Sequence, residues 1–133
     1  MFTTHILVRF GDLDAAGIAY YPNLVNFVHV AFEDFFSGHV GRPYPEVYAD
    51  GIGFPTVKVE VEFLSPVHFG DNVRIDVTVE RVGNSSVQIR YEASIDDRPV
   101  FRQFFCPGCG TLIENEIARA DDAVLRDIEL DMR

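Results

Sequence analysis

Hydrophobic and polar positions alternate with two different periods along the chain. In residues 2–10, Phe2, Ile6, Val8 and Phe10 are separated by Thr, His and Arg, which predicts a strand. Gly11-Asp12-Leu13-Asp14-Ala15-Ala16-Gly17 breaks the pattern and predicts a loop. From Tyr20 to Phe36 the spacing turns helical. Leu24, Phe27, Val28, Ala31, Phe32 and Phe35 fall on one face at i, i+3, i+4 steps. Pro22 suits the first turn, where a missing N–H costs nothing, and Ser37-Gly38 predicts the stop. A connector with Pro43 and Pro45 follows, carrying a helical turn at Glu46-Val47-Tyr48. The period then becomes two: Val57, Val59, Val61 and Phe63, then Val73, Ile75, Val77 and Val79, then Val87, Ile89, Tyr91, Ala93 and Ile95. Gly70-Asp71, Gly83-Asn84-Ser85 and Asp96-Asp97-Arg98-Pro99 mark the turns between them. Val100 to Cys106 reads as one more strand, and Asp121 or Asp122 as the cap of a short terminal helix.

A strand, one long apolar helix and a run of antiparallel strands make an α+β pattern, with the sheet wrapping the helix. It is not the alternating βαβ order of a dinucleotide fold, and no Gly-rich phosphate loop with Lys-Ser/Thr is present. At 133 residues, 1–133 is expected to be a single domain. Hydrophobic residues at 47% against 24% charged exclude a disordered chain. A formal net charge of −10 disfavours nucleic acid and anionic membrane as partners. The N-terminus lacks a signal-peptide pattern and no apolar run is long enough to span a membrane, so the chain reads as cytoplasmic.

Candidate chemistry gathers between Arg9 and Asn23, where two acids two residues apart sit in a Gly-flanked loop leading into the helix. The first N–H groups of a helix lack intrahelical partners and lie at its positive end. They can polarise a carbonyl, and a nearby carboxylate can attack that carbonyl or deprotonate a water beside it. Toward an amide an aspartate is a weak nucleophile; toward a thioester, with its better leaving group, it is credible. Ordinary loop chemistry, an Asx-turn or a helix cap, explains most such acid pairs, so spacing alone does not mark an active site.

The stretch resembles the signature of the hotdog-fold acyl-CoA thioesterases of the 4-hydroxybenzoyl-CoA thioesterase family. Asp14, Gly17, Tyr20-Tyr21, Pro22 and Asn23 carry the resemblance, followed by Gly53, Pro55, Phe63 and Gly70-Asp71. It covers about residues 2–97. It implies a hotdog fold, an antiparallel five-stranded sheet wrapped around a long central helix. It also implies a thioester hydrolase acting on a small acyl-CoA, with aromatic acyl groups among the candidates. Asp14 would be nucleophile or general base, the Tyr21 backbone N–H the carbonyl-polarising donor, and Gly17 the tight-loop glycine that lets backbone approach the acyl group. Asp12 would hold the loop. Val25, His29, Pro55 and Thr56 would contact the substrate, with a satisfied core role equally open to His29. No cofactor is implied, because coenzyme A belongs to the substrate. The family's site lies between subunits, so a homo-oligomer, dimer or tetramer, is expected.

Two features depart from the family. Its basic turn for the CoA phosphates is here Gly83-Asn84-Ser85-Ser86, leaving Arg81, Arg90 and Arg102 as the nearby cations. Cys106-Pro107-Gly108-Cys109-Gly110 looks like one zinc-ribbon knuckle, but a structural zinc needs four ligands. The pair is therefore read as two reduced thiols in a turn, with no metal. A non-catalytic acyl-binding module is the alternative function. A hotdog dehydratase ranks below it, because His5, His29, His39 and His68 lack the context of that chemistry.

Overall fold

The six apolar residues read as one helical face are the six that the long helix buries: Leu24, Phe27, Val28, Ala31, Phe32 and Phe35. The structure, a computed structural model, describes residues 1–56, 58–84 and 86–103 and the backbone of short strands at 114–116 and 118–119. Its elements are β1 (Phe2–Leu7), a 3-10 turn (Phe10–Asp12), α1 (Tyr21–Phe35), a π-helical turn (Phe36–Val40) and α2 (Tyr44–Ala49). The strands β2 (Ile52–Gly53), β3 (Val61–Phe63), β4 (Asn72–Val82), β5 (Ser86–Ile95), β6 (Arg98–Gln103), β7 (Glu114–Glu116) and β8 (Ala118–Arg119) follow.

The main sheet is antiparallel with the order β1-β4-β5-β6-β3, and β7 pairs the start of β5. The inward residues of β4 and β5, Val73, Ile75, Val77, Val87, Ile89, Tyr91, Ala93 and Ile95, join the buried face of α1 in one core. Such burial contributes roughly 1.5–3 kcal/mol for each large side chain. A bulge between Val79 and Arg81 interrupts the β4–β5 register, a feature that bends and twists a strand. Asp96 and Asp97 both have positive φ, 49° and 62°, so β5 and β6 are joined by a two-residue turn whose twist matches the strands. This is the α+β, helix-wrapping sheet that the sequence predicts.

Three boundaries differ from the expectation. Helical structure does not stop at Ser37-Gly38. It continues as the π turn to Val40, and Gly41 ends it with φ +81° and its N–H donated to the Phe36 carbonyl. Gly38 is small for another reason: a Cβ there would sit 2.8 Å from the Phe2 ring, which also packs edge-on against Phe35. The strand expected from Val57 is shorter: β3 is only Val61–Phe63, paired from Val61 opposite Gln103 to Phe63 opposite Phe101. The helical turn near Glu46 is a full α2 from Tyr44. Val57, Ser85, Cys106, Cys109 and the expected terminal helix lie outside the described residues. Among the described residues, no helix is long and apolar enough to cross a membrane.

Candidate active site

The loop before α1 is built by its own side chains. Asp14 opens a turn: its carbonyl accepts from the Gly17 N–H at 3.1 Å, and its Oδ1 accepts from the Ala16 N–H at 2.8 Å. Asp at the first position and Gly at the fourth is what such a turn favours. Gly17 has φ +81°, and a Cβ there would meet nothing within 4 Å. Its glycine is thus required by backbone angle, not by crowding within this chain. The Asp14 N–H donates to the Ile18 carbonyl at 2.9 Å, closing a small hairpin whose sides meet at Leu13 and Ala19.

Asp12 ties this loop to the helix. Its Oδ2 accepts from the Arg9 N–H at 2.8 Å, and its carbonyl accepts from the Tyr20 N–H at 2.8 Å and from Asn23 Nδ2 at 3.0 Å. The first turn of α1 then has one unsatisfied donor. Pro22 has no N–H, the Asn23 and Leu24 N–H groups both donate to the Tyr20 carbonyl, and the Tyr21 N–H has no acceptor among the described residues. No acidic residue in that turn offsets the positive end of the helix. Asp14 keeps a second carboxylate oxygen, Oδ2, without a partner among the described residues. Asp14 and Tyr21 are exposed residues in the single chain, and the exposed rings of Tyr20, Tyr21 and Phe63 pack edge to edge in series.

A cavity of about 220 Å³ lies between α1 and the sheet. Val25, Val28 and Phe32 of α1 form one wall, and Tyr44 and Phe54 another. The second wall is fixed by the Phe54 N–H donating to the Tyr44 hydroxyl at 3.1 Å and by the rings of Phe32, Phe36, Tyr44 and Phe54 packing together. Exposed His29, Thr56 and Val59 make the rim, and buried Tyr91 and Gln103 the floor. His29 is not a core histidine. Its Nε2 lies 3.3 Å from Glu33 Oε2, and its ring stacks on Phe32.

Burial raises the pKa of the Tyr91 phenol, which stays protonated. Gln103 Oε1 is buried without a hydrogen-bond partner among the described residues, a condition that costs about 1–3 kcal/mol.

The expected substrate residues Val25, His29 and Thr56 therefore line one cavity; Pro55 does not, nor do Asp14, Gly17 and Tyr21. Sequence reasoning missed Gln103, a polar residue two positions after inward Phe101, a register that only strand pairing reveals. Of the candidate cations, Arg90 pairs with Glu80 at 2.9 Å and Arg102 with Glu62 at 3.0 Å. Among the described residues, no cluster of three or more His, Cys, Asp or Glu could hold a metal ion.

A sequence model of the thioesterase superfamily matches residues 16–101, beginning two residues after Asp14. A model of the acetone carboxylase gamma subunit matches residues 72–133, less than half of the chain. The 1,4-dihydroxy-2-naphthoyl-CoA hydrolase of Thermosynechococcus vestitus is 33% identical over 63% of this chain and 58% of its own length. That of Nostoc punctiforme is 31% identical over 71% of this chain and 64% of its own. The chain thus spans about three fifths of the length of these curated relatives. A solved gentisyl-coenzyme A thioesterase superposes with a TM-score of 0.75 at 26% identity, covering 91% of this chain and 89% of its own. The fold is the hotdog, and with a family model spanning well over half of its residues the chain belongs to the thioesterase superfamily.

Proposed function

We propose that the protein is a cytoplasmic hydrolase of acyl-CoA thioesters carrying a small aromatic acyl group. It would work as a homo-oligomer and without a cofactor of its own. The observation that carries this reading is the helix entrance, where a carboxylate with one uncommitted oxygen and a first-turn N–H with no acceptor are anchored to the same loop. The Tyr21 N–H polarises the thioester carbonyl and stabilises the oxyanion that develops on it. Asp14 acts on the carbonyl carbon, either forming a mixed anhydride as the CoA thiolate leaves or activating the water that adds. In both routes water ends as part of the acid and the thiol is released.

The acyl groups named for the relatives above are aromatic, and an apolar cavity walled by Phe32, Tyr44 and Phe54 suits such a ring. The exposure of Asp14 and of the Tyr20, Tyr21 and Phe63 rings supports a site completed by a second subunit. Thiol release from a panel of aliphatic and aromatic acyl-CoAs tests the reading, with faster turnover of aromatic members expected. Turnover of no member would leave a non-catalytic acyl-binding module as the better description.

A further inference from the structure

The floor of the cavity carries polar groups that the hydrolysis does not use. Tyr91 and Gln103 are direct partners across β5 and β6, which sets their side chains side by side on the face under α1. Their residues are only 2% and 4% exposed, whereas Val59 at the rim is 45% exposed. Gln103 Oε1 has no hydrogen-bond partner among the described residues, and everything between floor and rim is dominated by aliphatic and aromatic side chains. Buried polar groups in folded proteins are almost always satisfied, so an unpaired amide oxygen at the end of an apolar cavity calls for an occupant with a matching donor. The volume of about 220 Å³ exceeds the roughly 150 Å³ that holds a benzene ring.

We infer that Gln103, with Tyr91 beside it, is the group that reads a ring hydroxyl of the kind the dihydroxynaphthoyl group of the relatives carries, and so sets selection between hydroxyaryl and unsubstituted aryl thioesters. This inference rests on the proposed thioesterase reading and on the acyl group entering this cavity. A ring hydroxyl both donates and accepts, so it satisfies the Gln103 amide in either orientation and still reaches a second partner in the Tyr91 hydroxyl. An unsubstituted ring would leave the Gln103 oxygen unpaired, which is the way hydroxyl-reading sites reject deoxy analogues. Tyr91 enters as a neutral hydroxyl because burial raises its pKa.

The test compares benzoyl-CoA with its 2-, 3- and 4-hydroxy derivatives by thiol release, and the free acids by calorimetry. The native protein is expected to favour at least one hydroxybenzoyl-CoA by about tenfold or more in kcat/KM. Gln103→Leu should bring that ratio close to one. Tyr91→Phe, which removes only an oxygen, should narrow the same ratio and serves if Gln103→Leu does not fold. Equal rates for all four thioesters in the native protein, or an unchanged ratio in a folded variant, would overturn the assignment while leaving hydrolysis intact. Preference for a hydroxybenzoic acid without turnover of any thioester would instead keep the subsite and remove the hydrolase reading.

Discussion

Between Arg9 and Asn23 the polar atoms are tied down by close neighbours: Asp12 holds Arg9, Tyr20 and Asn23, and Asp14 holds Ala16 and Gly17. The residues that carry the uncommitted groups there, Asp14 and Tyr21, are exposed. At Tyr91 and Gln103 the situation is reversed, with two polar side chains almost wholly buried and the Gln103 oxygen without a described partner. An exposed group without a partner is satisfied by water and costs the free protein little. A buried one lacks that option and is costly until something binds. The helix entrance is therefore suited to reacting, where a group must be accessible. The cavity floor is suited to discriminating, where the penalty for a wrong occupant must be high.

Substitutions at the two regions should differ accordingly. The largest effect on stability is expected in the cavity wall. Phe32 packs against Phe36, Tyr44 and Phe54, and Phe32→Ala should cost about 3–5 kcal/mol in denaturant unfolding. A cost below about 1 kcal/mol would show that this wall is not the packed surface described.

Alkaline pH should come next. Tyr91 has a raised pKa in the folded chain, so above about pH 10 the unfolded chain loses a proton that the folded chain keeps. Stability should then fall with rising pH by up to about 1.4 kcal/mol per unit from this residue, until the folded pKa is reached. Unfolding curves at successive alkaline pH values should show a shallower loss for Tyr91→Phe, and identical slopes would place the phenol in water.

Gly17→Ala is expected to destabilise by about 1 kcal/mol, because only the φ of +81° opposes the new methyl group. It should also slow hydrolysis by disturbing the turn that holds Asp14. Stability lost with activity fully retained would separate the loop from catalysis. The smallest effect belongs to the rim. His29→Ala removes an exposed i, i+4 contact with Glu33 and should change thermal stability by less than about 0.5 kcal/mol.

What the sequence discloses and what it hides follow from the range of the interactions. The buried face of α1 is readable because six apolar residues repeat with the helical period, and burial follows that period. The Asp14–Gly17 turn is readable because its hydrogen bonds span two or three residues. The helix end was misplaced because Gly38 looks like a stop. The reason for that glycine is the ring of Phe2, thirty-six residues away and brought close only by the fold. Gln103 was missed for the same reason: an amide near the end of a strand carries no local mark, and only pairing with Tyr91 and Val61 sets it facing inward. The likeness to known thioesterases points to Asp14 and Tyr21, while the polar floor comes into view only through packing.

Thiol release by Asp14→Asn, measured beside its melting curve, tests the central claim most directly. Asparagine retains the side-chain oxygen that accepts from the Ala16 N–H, so the turn should stand and Tm should move by no more than about 2 °C. It loses the carboxylate, so kcat on the best acyl-CoA substrate should fall about a hundredfold or more. Hydrolysis at the native rate in a variant that melts normally would contradict the account.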